Sequence, residues 1–216
     1  MIIAKFGSHE FLEVEYPTIY NHLLQYKDQL EQRGQCRYSR GPQNSNKPYP
    51  GQHHWLELDN NPRDSYLQDF EKEKIVYGEI VQEPRFYLDN GECELGYFYA
   101  EATSFILTGE HLRYLLGMLH SKLITFAFKT FYAGGGLGES GYRYKKAFIE
   151  RLPIPQITEK NQELADKIIA LVDKILKAKE KDPKANTQGL EKEIDALVYQ
   201  LYNLTDEEIK IIENGQ

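Results

Sequence analysis

The sequence predicts a mixed α+β fold: a small β-sheet with supporting helices, followed by a C-terminal helical hairpin. Three observations predict it. Residues 74–107 hold β-branched and aromatic runs separated by turn residues. Stripes of apolar side chains at helical spacing flank that region, at 17–33 and 108–129. After Pro155 the chain turns charged and amphipathic with the period of helices.

In chain order, 17–33 is a helix. Pro17 suits its first turn, where a missing N–H costs nothing, and Tyr20, Leu23, Leu24 and Leu30 form its stripe before Gly34 ends it. The segment 39–53, SRGPQNSNKPYPGQH, has three prolines, two glycines and almost nothing apolar, so it is a long polar loop, a common place for binding. Residues 74–81 and 85–88 read as strands, with one or two more in 95–107 and a turn at Gly91. Thr108 is the expected cap of the next helix, with Glu110 in its first turn. Leu112, Leu115, Leu116, Leu119, Leu123 and Phe126 then predict one rigid helix reaching Lys129. Gly134 to Gly136, Gly138 and Gly141 interrupt regular structure. A charged helix over 159–181 turns Leu164, Ile168, Leu171, Val172 and Ile175 inward until Pro183 stops it. A second helix from about Leu190 does so with Ile194, Leu197, Val198 and Leu201. Thr205 with Glu208 matches a capping box for a short third one. The expected organisation is therefore a domain over 1–157 and a helical region over 158–216 that packs on it or on a partner.

Composition excludes several classes. An apolar content of 41% and 27 aromatic residues (16 Tyr, 10 Phe, 1 Trp) mark a folded protein. Cys36 and Cys93 fit neither a disulfide scaffold nor a zinc site. The opening MIIAKFGSHEF lacks the pattern of a signal peptide, and no run approaches the roughly 18 apolar residues of a membrane span. A cytoplasmic protein is expected, with no membrane partner. The short lead-in to Phe11 is equally compatible with a cut edge and a partner domain upstream. There is no GxGxxG, P-loop, HExxH or GxSxG. Asp59, Asp64 and Asp69, near Glu57 and Glu71, read as solvated acids before they read as a metal site. His53 and His54, adjacent and beside Trp55, read as surface residues or the edge of a DNA-facing loop before metal ligands.

The stretch 129–155, KTFYAGGGLGESGYRYKKAFIERLPIP, is the most informative. Glycines lead into a basic, aromatic cluster that ends at a rigid Pro153–Ile154–Pro155 step. Lysine and arginine attract phosphate, and tyrosines bond phosphate oxygens or pack on sugars. The net charge of −7 opposes this at long range, but phosphate contacts are made by local patches. Two windows, 32–56 and 111–138, contain no Asp or Glu. The residues expected to bind DNA are Arg37, Arg40, Lys47 and His53 in the first loop and Tyr142, Arg143, Tyr144, Lys145 and Lys146 in the second. The competing reading of the second group is a charged loop whose tyrosines fill the edge of the core.

Five words of sequence carry a family resemblance. They are YPTIYNHLLQYKDQLEQR (16–33), the Trp55 region with DFEKEKIVYGEI (69–80), ILTGEHLRYLLGMLHSKLITFAFK (106–129), RYKKAFIERLPIP (143–155) and EIDALVYQLYNLTDEEIKIIE (193–213). In order and spacing the chain resembles the target recognition domain at the C-terminal side of adenine-specific DNA methyltransferases of the TaqI-like type. The fused restriction–modification enzymes related to Eco57I share that domain. The resemblance implies a mixed α/β domain reading double-stranded DNA beside a methyltransferase catalytic domain, supplied in cis or in trans. In that family S-adenosyl-L-methionine is bound by the catalytic domain. Its glycine motif and Asn-Pro-Pro-Tyr sequence are missing here, since Asn61–Pro62 is followed by Arg63. The resemblance thus implies no catalytic residue, no metal and no cofactor in this chain. LPIP-like steps and SKL-containing helices occur also in type I specificity subunits. That leaves a type I-like specificity subunit and a protein-interaction module as alternatives, with a nuclease a more distant one.

Overall fold

The computed structural model describes residues 4–37, 53–58, 63–101, 103–133, 137 and 141–214, with the side chains of Gln35 and Arg37 excepted. It shows a mixed α/β fold with a small sheet, several supporting helices and C-terminal helices. By its contacts the chain divides into two compact units, Met1–Leu67 and Gln68–Gln216. The helices after Pro155 fall in the same unit as the sheet.

The first unit is a cluster of short helices. After a 3-10 turn at Ser8–Glu10 come α1 (Leu12–Glu15), α2 (Pro17–Leu24), α3 (Lys27–Glu31) and α4 (Gly34–Arg37), and α5 (Asp64–Phe70) runs across the division. The helix expected over 17–33 is broken at Gln25–Tyr26, whose N–H groups bond to the carbonyls of His22 and Leu23, three residues back. The local packing offers no reason for that break. A buried carboxylate organises the unit. Glu57 accepts from the backbone N–H groups of Gly7 (2.7 Å) and His54 (3.0 Å) and from His9 Nδ1 (2.6 Å). Arg33 draws the same segment in, donating through Nη2 to the carbonyls of Trp55 (2.9 Å) and Glu57 (2.6 Å).

The second unit is built on an antiparallel sheet of order β3–β1–β4, with β1 at Lys74–Gly78, β3 at Phe86–Asp89 and β4 at Ser104–Leu107. Alternation along the strands sends Ile75, Tyr77, Phe86 and Leu88 into the core, while Val76, Tyr87 and Ile106 share the other face. A two-stranded ribbon joins β2 (Ile80–Val81) to β5 (Tyr142–Arg143). Of the one or two strands expected in 95–107, one forms, β4, and residues 95–103 add no second where described. Lys74 meets that segment at the Tyr97 ring, 4.6 Å from its centre, and its fully buried ammonium lies 2.6 Å from Asp89 Oδ2 and bonds the Phe70 carbonyl at 2.8 Å. The other contacts of Asp89 are the N–H groups of Gly91 and Phe98. Its oxygens thus fix the turn that follows β3.

Against the sheet lies α6 (Leu112–His120), followed by α7 (Lys122–Ala127). The single helix expected over 108–129 is two helices, and Thr108 is not its cap. The N-cap is His111, in the left-handed region at φ 56°, reached through Gly109 at φ 147°. At the other end Ser121 turns extended. Its hydroxyl donates to the Met118 carbonyl (2.7 Å) and accepts from Ile124 N–H (3.3 Å), closing α6 and capping α7 together. The N–H of Lys122 donates to Asp195 Oδ1 at 2.8 Å. The C-terminal helices α9 (Gln162–Lys181), α10 (Gln188–Leu201) and α11 (Asp206–Asn214) match the expected periodicities. The capping box is formed: Thr205 N–H meets Glu208 Oε2 at 2.8 Å, and Glu208 N–H meets Thr205 Oγ1 at 3.3 Å. Gly117 lets α6 and α9 approach closely, since a Cβ there would lie 2.8 Å from Ile168 Cγ2 and 3.0 Å from Val172 Cγ2.

Candidate nucleic-acid interface

The basic element begins where α7 runs into a π-helical turn, Phe128–Tyr132. Such turns are rare and recur at functional sites. Gly134 to Gly136 and residues 138–140 lie outside the described residues. The chain re-enters at Gly141, whose φ of +96° and contact with the Val81 carbonyl admit no side chain. That close approach aligns β5 on β2, pairing Val81 with Tyr142 and Ile80 with Arg143, and Tyr144 N–H continues the ladder to the Glu79 carbonyl (2.6 Å).

Alternation along β5 decides where the candidate side chains go. Tyr144 points inward and is 2% exposed, stacked on Phe128 at 4.1 Å and edge-on to Phe86 at 5.8 Å. Burial raises its phenol well above the usual tyrosine range, with the charges of Glu83 and Tyr142 adding to the effect. This corrects the expectation that it meets DNA: it is a core residue that anchors the element. Tyr142 is half-buried, with Lys129 Nζ 5.4 Å from its ring centre. Arg143 reaches outward, its Nε 3.6 Å from Glu79 Oε1.

Lys145 and Lys146 open α8 (Lys146–Ile149) and are exposed. Lys145 has an extended backbone and makes no ion pair among the described residues. Lys146 has Glu150 at 3.4 Å, one turn on. Two cations missed by sequence reading join them: Lys129, paired with Glu83 at 2.9 Å, and Arg151, whose guanidinium lies over the Tyr132 ring at 5.9 Å. Their signal was present, since both belong to the same 129–155 stretch, but only the contiguous RYKK cluster stood out. The described element carries five cations, Lys129, Arg143, Lys145, Lys146 and Arg151, against the carboxylates of Glu79, Glu83 and Glu150. Exposed pairs of this kind are worth about 0–1 kcal/mol, so a phosphate can displace their acids at little cost.

The other expected contacts stand differently. Arg40 and Lys47 lie outside the described residues, and so does the side chain of Arg37, whose backbone ends α4. His53 is buried, with Nδ1 4.0 Å from Glu57 Oε2, which corrects its placement at the exposed edge of a loop. Its neighbour His54 stacks on His9 with ring centres 4.5 Å apart. Burial and the nearby His9 charge hold the His54 pKa below the usual histidine range. Among the described residues no group of three or more His, Cys, Asp or Glu is placed to hold a metal ion. None of their helices is long and apolar enough to cross a membrane.

The second unit is thus a small antiparallel sheet backed by helices, with a cationic element anchored through the β2–β5 ribbon. The chain belongs to the family of TaqI-like C-terminal specificity domains, whose model matches residues 21–154. The matched span takes in the sheet, α6, α7 and the whole basic element. No curated protein matches the chain.

Proposed function

We propose that this chain is the double-stranded DNA recognition module of a restriction–modification DNA adenine methyltransferase. The observation that carries this reading is the match to a specificity-domain family over 21–154, a span that contains an exposed, core-anchored cationic element. Lys145, Lys146 and Arg143 hold the phosphate backbone, with Lys129 and Arg151 beside them. Tyr142 packs at its half-buried edge. Arg37, Arg40 and Lys47 supply base-edge contacts from the polar loop, where an arginine can bridge guanine O6 and N7. Recognition residues lie within 1–157, and the helical region of 158–216 supports them. The chain performs no methyl transfer by itself. A catalytic domain, in cis or in trans, binds S-adenosyl-L-methionine and carries out the chemistry in the cytoplasm.

Contact with a protein partner is favoured by a separate surface. Residues 86–112 contain no Lys or Arg and four exposed acids, Glu92, Glu94, Glu101 and Glu110, and among them Tyr87, Leu95 and Phe98 are exposed. Such a surface repels phosphate and suits the catalytic domain.

The test is the salt dependence of duplex binding. Removing one lysine from the phosphate backbone lowers the slope of log K against log salt by about 1. Lys145→Ala is expected to weaken binding to all sequences alike and to reduce the slope by about that amount. Unchanged affinity and slope at low salt would remove Lys145 from the interface.

A further inference from the structure

We propose that Phe131 is an aromatic wedge that enters the base stack of DNA bound along the basic element. The proposal rests on the DNA-recognition reading and assigns a role to a residue outside the basic cluster. Phe131 is 71% exposed, whereas the neighbouring Phe128 is fully buried in the core. The difference arises from the π-helical turn at Phe128–Tyr132, whose wider winding rotates consecutive side chains out of α-helical register. Phe126 supports the ring edge-on, with centroids 6.3 Å apart at 82°.

Cations lie on the same turn and on the helix it packs against. Lys129 precedes Phe131 by two residues, and the adjoining Tyr132 ring lies beneath the Arg151 guanidinium. The turn also packs against α8, the helix opened by Lys145 and Lys146. An exposed phenyl among cations is poorly suited to a dry protein core. It does suit a ligand with a charged backbone and stacked apolar faces. Proteins that kink or unstack a duplex insert such apolar side chains between base steps while arginine and lysine hold the phosphates. Base–aromatic stacking of this kind depends little on sequence.

The experiment uses the full chain and duplexes carrying 2-aminopurine in place of several adenines, followed by anisotropy and by 2-aminopurine fluorescence. Wild type is expected to brighten 2-aminopurine on binding, because unstacking relieves its quenching. Phe131→Ala should bind roughly tenfold more weakly, with an unchanged salt slope because every cation is kept, and without the brightening. Phe131→Trp should restore both. Equal affinity and equal fluorescence for wild type and Phe131→Ala would overturn the wedge while leaving DNA recognition intact. Failure of the wild-type chain to bind any duplex at low salt would overturn the recognition reading, and the wedge with it. Melting temperature controls for folding, and a side chain this exposed is expected to leave it unchanged.

Discussion

Burial alone would raise the pKa of Glu57. The N–H of His54, the His9 ring and the N–H of Gly7 outweigh it and hold the carboxyl below the ordinary value of 4.5. His54 beside it is held below 6.5, chiefly by burial. Both shifts make Met1–Leu67 sensitive to acid. Below 6.5 the unfolded chain takes up a proton that native His54 resists, so stability falls as pH drops through that range. The stabilisation from Glu57 is complete above 4.5 and is lost as pH falls through its depressed native pKa. Acid unfolding of this unit, followed by the Trp55 fluorescence, should therefore begin below 6.5 and steepen below 4.5. Glu57→Gln should abolish the second stage. Tyr144 offers a second residue-scale test, because its hydroxyl has no hydrogen-bond partner among the described residues. Removing a buried hydroxyl that makes no bond costs little. Tyr144→Phe is expected to keep both stability and DNA affinity, whereas Tyr144→Ala should cost about 3–5 kcal/mol in denaturant unfolding by emptying its place on Phe128.

At the scale of elements, what could be read from the sequence depended on how local the cause was. The C-terminal helices were legible because their stripes and the Thr205–Glu208 box are set within a few residues. The break between α6 and α7 was not. The apolar spacing runs unbroken through Ser121, and the features that stop the helix are a serine bonding both ways and Asp195, distant in sequence. The inward turn of Tyr144 was hidden for a similar reason: RYKK reads as one surface cluster until β5 pairs with β2 and imposes alternation. His53 also looked exposed in a polar sequence, yet it is buried, with Glu57 one turn on and the Phe6 ring edge-on at 6.4 Å. The crossing of α6 on α9 gives this scale its prediction. Gly117→Val would push into Ile168 and Val172 and should destabilise Gln68–Gln216 by about 1–3 kcal/mol, the usual cost of overpacking. Chemical denaturation of the variant checks it, and an unchanged midpoint would mean that the two helices can slide apart freely.

For the whole molecule, the difficulty is a net charge of −7 in a chain proposed to hold DNA. Long-range repulsion of that size slows encounter and is screened by salt, with a Debye length of about 10 Å at 0.1 M. Local contacts decide the bound state, and they weaken as salt rises. The two effects oppose each other, so affinity should be modest for the isolated chain. The acid-rich segment 86–112 also leaves surface for the protein partner proposed above. The most direct test is to offer the purified chain a pool of random duplexes at low and then moderate salt and to sequence what it retains. Enrichment of one short motif, with affinity falling as salt rises, is the result expected of a DNA specificity module. Retention of no duplex even at low salt, or retention without any sequence preference, would contradict it.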